Sequence, residues 1–103
     1  MIRVIHKRSE RAYPGFDVNI SRDSPLSNPF PLKGEDSRDE VIAAYRQYLL
    51  SRLKNKDPEI RDEMNRVYKL AQEHDVNLMC YCAPKACHGD VIKAFLEKPS
   101  LVR

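Results

Sequence analysis

Val76-Asn77-Leu78-Met79-Cys80-Tyr81 decides the fold. Its apolar residues run almost without interruption, as in a strand covered on both faces. The stretch is therefore expected to be a central strand. Immediately after it come Cys82, Pro84, Cys87 and His88, and then a helix from about Cys87 to Lys98. Val91, Ile92, Phe95 and Leu96 form its buried side, and Pro99 stops it.

Upstream of the central strand lie two helical patterns. Asp57-Pro58 opens one, with Asp57 as N-cap and Pro58 in the first turn. Its apolar face is Ile60, Met64, Val67, Tyr68 and Ala71. Ser37 opens the other, and Glu40 three residues on predicts a capping box. Val41, Ile42, Tyr45, Tyr48, Leu49 and Leu53 line its apolar face at helical spacing.

Two strands are expected nearer the N-terminus. Met1 to His6 is rich in β-branched residues. In Phe16 to Ser21, Phe16, Val18 and Ile20 alternate with Asp17, Asn19 and Ser21, which predicts one buried face. Arg22 to Asp36 is an irregular loop, broken by Pro25, Pro29 and Pro31 and pinned by Leu26, Phe30 and Leu32.

The chain thus reads as one α/β domain over residues 1–103, a small three-stranded mixed sheet with three helices in the order β-β-α-α-β-α. The link between the first two strands is too short for a crossover helix, so they are expected to pair antiparallel. The third strand is expected to run antiparallel to the second and parallel to the first.

Composition narrows the class. The chain is 42% apolar with a net charge of +3. No apolar run approaches the roughly 20 residues that span a bilayer, and no apolar leader stands at the N-terminus. No membrane association and a cytoplasmic location are the expectation. Lys7, Arg8 and Arg11 read as solvated loop cations. Three cysteines, an odd number, argue against a disulfide framework.

Three chemistries remain for the Cys80, Cys82, Cys87, His88 cluster. The four could ligate a metal, with zinc the candidate cofactor. Cys87 at a helix N-terminus could be an activated thiol, with His88 as its base. The cysteines could also be buried packing groups, Cys80 above all. Redox sensing through the three thiols is chemically allowed. The helix N-terminus also favours an anion, and Gly89 permits close approach. Asp90 could cap the turn or orient His88. In the loop that leaves the second strand, Arg22 suits phosphate or carboxylate. Asn28 suits a base edge or a turn cap.

Val4-Ile5-His6, Ile20-Ser21-Arg22, Ser27-Asn28-Pro29-Phe30 and Cys80-x-Cys82-x-Pro84-x-x-Cys87-His88-Gly89-Asp90 resemble a small family of bacteria and phages catalogued as a domain of unknown function. That pattern runs V-V-H, Y-I-G-R, G-N-P-F and C-x-C-x-P-x-x-C-H-G-D. Ser21 and Ser27 stand where the family tends to have glycine. The resemblance implies that Arg22, Asn28, Cys82, Cys87 and His88 belong to one pattern in a phage or prokaryotic setting, and implies no activity.

Two functions follow as expectations. The first is binding or processing of a nucleotide or other phosphorylated small molecule. Arg22, Asp23, Asn28 and Gly89 would bind it, and Cys87 and His88 would be catalytic. The second is a zinc-stabilised phage or bacterial interaction module that binds a host protein or nucleic acid, with Cys80, Cys82, Cys87 and His88 as ligands.

Overall fold

The computed structural model describes residues 1–8, 13–30, 34–81, 85 and 87–98. Strands β1 (Ile2–His6) and β2 (Phe16–Asn19) come first. A 3₁₀ turn at Glu35–Ser37 leads into helix α1 (Arg38–Lys54) and then α2 (Pro58–Glu73). Strand β3 (Val76–Cys80) and helix α3 (His88–Glu97) complete the chain. The order of elements is the one expected from the sequence.

The most apolar strand is central, as its composition predicts: the sheet order is β1-β3-β2. The pairing corrects the expectation. β3 runs parallel to both neighbours, with Ile2 and Phe16 each opposite Val76. β1 and β2 do not pair, and the sheet is parallel rather than mixed. Residues 7–15 between them are too many for a tight hairpin. Nine residues reach up to about 30 Å, enough to return along a five-residue strand of about 17 Å without a helix. Central placement gives β3 backbone partners on both sides.

The link enters β2 through Gly15, whose φ of +103° favours glycine. A Cβ there would strike the Asp75 backbone, and Phe16 N donates to Asp75 O at 2.9 Å.

The parallel register gives the sheet two unlike faces. Ile2, Val18, Val76, Leu78 and Cys80 belong to the hydrophobic core. The opposite face carries Arg3, Asn77 and Asp17 side by side in one row. Asn77 is fully buried. Its Nδ2 donates to Asp17 Oδ1 at 3.1 Å and to Pro14 O at 3.3 Å, and Arg3 Nη1 donates to its Oδ1 at 3.4 Å. The Arg3 guanidinium lies 5.3 Å from the centre of the Tyr13 ring. Tyr13 and Pro14 therefore lie against Arg3 and Asn77 of the polar row, Asp17 stays exposed, and the helices supply the core on the other side.

Helix faces follow the predicted stripes. Tyr45 and Leu49 of α1, Ile60, Met64 and Val67 of α2, and Val91, Ile92, Phe95 and Leu96 of α3 are all buried. Each such side chain contributes about 1.5–3 kcal/mol. Asp57 caps α2 as expected, accepting from Ile60 N at 3.3 Å. Ser37 precedes α1 but makes no side-chain cap; its hydroxyl donates to Gly34 O at 2.9 Å, because the 3₁₀ turn engages it first. No described helix is long and apolar enough to cross a membrane.

Replacing Asn77 with alanine removes a side chain that ties the link to all three strands. Asn77→Ala is expected to lower unfolding stability by about 2–3 kcal/mol. Urea denaturation measures it; a loss below about 0.5 kcal/mol would show that the polar row does not hold the link.

Candidate functional site at the carboxyl edge of the sheet

Parallel pairing brings the ends of all three strands to one edge. The residues that follow them gather there. Lys7, Ser21, Arg22, Asp23 and Tyr81 line a cleft of about 480 Å³, a volume that suits a small molecule. Tyr13 and Pro14, which precede β2, lie on the polar face, whereas α3, which follows β3, packs on the core side. The crevice outside the carboxyl ends of parallel strands is the usual ligand position in α/β sheets.

The loop after β2 is built by local side-chain bonds. Asn19 Oδ1 accepts from Ser21 N at 3.0 Å and from Ser21 Oγ at 2.6 Å. Asn19 Nδ2 donates to Arg22 O at 3.2 Å. A turn closes from Ser24 N to Ser21 O at 3.1 Å, with Asp23 at φ +76°. A second turn closes from Ser27 N to Ser24 O at 3.0 Å, with Pro25 at its second position. Across the cleft, Lys7 Nζ donates to Ser21 Oγ at 3.2 Å and stands 5.3 Å from the Tyr81 ring centre. His6 meets Tyr81 edge-on at 5.7 Å, and its Nδ1 accepts from Arg8 N at 3.0 Å. Among the described residues, neither the Arg22 guanidinium nor the Asp23 carboxylate makes a hydrogen bond or ion pair.

A second cleft, of about 490 Å³, is lined by Tyr48, Ser51, Arg52, Asn55 and Asp57. There Arg52 pairs with Asp57 at 3.1 Å, and its guanidinium lies 5.3 Å from the Tyr48 ring centre. Its charges are satisfied by each other, so size alone does not make it the better site.

The described members of the cysteine and histidine cluster lie beneath the surface. Cys80, Cys87 and His88 are all buried, with their relative exposures at 7% or below. The Cys80 and Cys87 sulfurs are 3.4 Å apart. Cys87 Sγ accepts from Gly89 N at 3.3 Å, and Asp90 Oδ2 accepts from Cys87 N at 3.0 Å. These bonds occupy amides that an anion at the start of α3 would use. A Cβ on Gly89 would sit 2.8 Å from Val4 Cγ1 and 2.9 Å from Ile20 Cδ1, so the glycine lets the helix start press on the sheet. His88 Nε2 donates to Ile20 O at 2.6 Å. Its ring meets Tyr45 edge-on at 5.0 Å, and Tyr45 Oη donates to Leu26 O at 2.6 Å. Burial pushes the His88 pKa below its usual value and the Tyr45 pKa above its own. His88 and Tyr45 thus brace both ends of the 20–26 segment that carries Arg22 and Asp23.

Arg22 and Asp23 therefore share the surface cleft, whereas Cys80, Cys87, His88 and Gly89 are buried and do not line it. Asn28 stands in its own turn, with Oδ1 accepting from Phe30 N at 2.9 Å. Cys82 lies outside the described residues. Among those residues, no group of three metal-capable side chains occurs. Lys7, Ser21 and Tyr81 join the site without any motif in the sequence that marks them. Their only signal is position, just beyond a strand end, and it points to one site only once the strands are known to be parallel.

His88 makes stability depend on pH. Above about pH 6.5, His88 is neutral in both folded and unfolded chains. Below it the unfolded chain takes up a proton that the buried ring resists, so stability falls as pH drops from about 6.5 toward the lower folded value. A loss of up to about 1.4 kcal/mol per pH unit is expected in that window. His88→Gln, which keeps a donor for Ile20 O, should flatten the slope in urea titrations. An unchanged slope would assign it to other groups.

Comparison with known proteins places the chain. The family model described as a domain of unknown function (DUF4326) matches residues 2–98, a span that takes in every strand and helix described above. The uncharacterized 12.4 kDa protein of the nrdA-td intergenic region of Enterobacteria phage T4 is 30% identical over 98 residues, covering 95% of this chain and 80% of that protein. No solved structure matches. With nearly its whole length matched, the chain belongs to the DUF4326 family of domains of unknown function.

Proposed function

We propose that the protein binds a phosphorylated small molecule, with nucleotides within that class, in the cleft at the carboxyl edge of the sheet. The observation that carries this reading is the pairing of Lys7 and Arg22 on one concave surface. The Arg22 guanidinium has no ion-pair partner among the described residues, and a guanidinium offers a fork of donors that suits phosphate. Two cations on a cleft at a sheet's carboxyl edge match the usual position of a phosphate ligand. The anion is thereby assigned to Lys7 and Arg22 rather than to the capped start of α3. His88 holds the end of β2 beside the cleft through Ile20 O, and Asn28 shapes the loop through its bond from Phe30 N.

A second reading is a zinc-stabilised module that engages a host protein or nucleic acid. The 3.4 Å sulfur pair of Cys80 and Cys87 favours it, since thiolates bound to one zinc at about 2.3 Å lie about 3.8 Å apart. About one equivalent of zinc in the purified protein, with unfolding on chelation, would support this reading, and metal-free folded protein would exclude it.

The first reading is tested by calorimetric titration with inorganic phosphate and phosphorylated metabolites. Arg22→Ala and Lys7→Ala are each expected to weaken binding about tenfold, the value of one charge-assisted hydrogen bond. Affinity should fall as salt rises. Unchanged affinity in Arg22→Ala would overturn the assignment.

A further inference from the structure

We infer that the ligand of this cleft is a ribonucleotide, with its base stacked on Tyr81 and its sugar hydroxyls accepted by Asp23. The inference rests on the reading of Lys7 and Arg22 as the phosphate site and goes on to specify the rest of the ligand.

Tyr81 is the first observation. Among the described residues, the large apolar side chains with high exposure are Met1, Phe16 and Tyr81. Phe16 packs against His74 at 4.8 Å and lies at the opposite, amino end of the strands. Tyr81, 53% exposed, stands on the wall of the cleft. Its ring is also held in place. His6 meets it edge-on at an interplanar angle of 85°, and His6 is itself fixed by Arg8 N. With these contacts made, more than half of Tyr81 is still exposed on the cleft wall, which leaves ring surface for a base, and every nucleobase has a matching π-face. The Lys7 ammonium lies near the same ring and bonds to Ser21 Oγ, so one residue connects the aromatic wall to the proposed phosphate site.

Asp23 is the second observation. It lines the cleft with Lys7 and Arg22 yet pairs with neither. A carboxylate repels a ligand that is only an anion. Its presence calls for a ligand that also brings hydrogen-bond donors, and a ribose diol supplies them, as with the acidic residue that takes ribose hydroxyls in other α/β nucleotide sites. The backbone at Asp23 has φ +76°. Asparagine tolerates that region as readily as aspartate, so Asp23→Asn changes the charge without rebuilding the turn.

Calorimetric titration of the full chain tests this with four ligands: AMP, its 2′-deoxy counterpart, ribose 5-phosphate and inorganic phosphate. AMP is expected to bind about tenfold more tightly than ribose 5-phosphate, the worth of one stacked base. Tyr81→Ala should erase that advantage and leave ribose 5-phosphate affinity in place, while Tyr81→Phe keeps it. Asp23→Asn should reduce the preference of the wild type for AMP over the deoxy ligand. If ribose 5-phosphate binds as tightly as AMP, or if Tyr81→Ala leaves their ratio unchanged, the inference is overturned and the phosphate site stands. If none of the four binds, the phosphate site falls as well.

Discussion

Asn77 is an amide without access to water in the middle strand of a parallel sheet. A buried polar group of that kind must be hydrogen-bonded, or it costs about 1–3 kcal/mol. Its partners come from Arg3 of β1, Asp17 of β2 and the carbonyl of Pro14. The satisfaction of one side chain therefore requires both outer strands in register and Pro14 set against the face. Gly15 makes that placement sterically available where the chain crosses Asp75. The polar row leaves the other face to the core, and that is where the helices bury their apolar stripes.

From this arrangement the candidate site follows. When β1 and β2 both run parallel to β3, the residues after all three strands converge. Lys7, Arg22 and Tyr81 then share one edge. An antiparallel β1 would carry Lys7 to the far end of the molecule. Two buried side chains have a mechanical part. His88 grips the end of β2 through Ile20 O, and Tyr45 grips the loop through Leu26 O. Both bonds are made by neutral donors in an apolar setting, which keeps them strong and their protonation states fixed.

Much of the architecture was legible in the residues. The apolar stripes at 3.6-residue spacing located α1, α2 and α3, and alternation located β2. The composition of Val76 to Cys80 pointed to a central strand. Capping was legible only in part. Asp57 and Asp90 cap their helices, whereas Ser37 is drawn into the preceding 3₁₀ turn. The rule for short connections misled on strand direction, because nine extended residues can return along a short strand that is not a neighbour. The cysteine cluster was legible as a cluster. The burial of Cys80, Cys87 and His88 was less so, because a strand end followed by a helix start reads as an exposed rim.

By itself the sequence determined which segments are helix and strand, the apolar face of each, and the presence of a basic loop residue at Arg22. Those properties depend on spacing of a few residues, and local chemistry decides them. The tertiary structure alone decided strand direction, the union of Lys7 with Arg22, Asp23 and Tyr81, and the withdrawal of Cys87 and His88 into the core. These depend on contacts between residues 14 to 74 positions apart, and their outcome rests on how one buried amide and one apolar strand find all their partners at once.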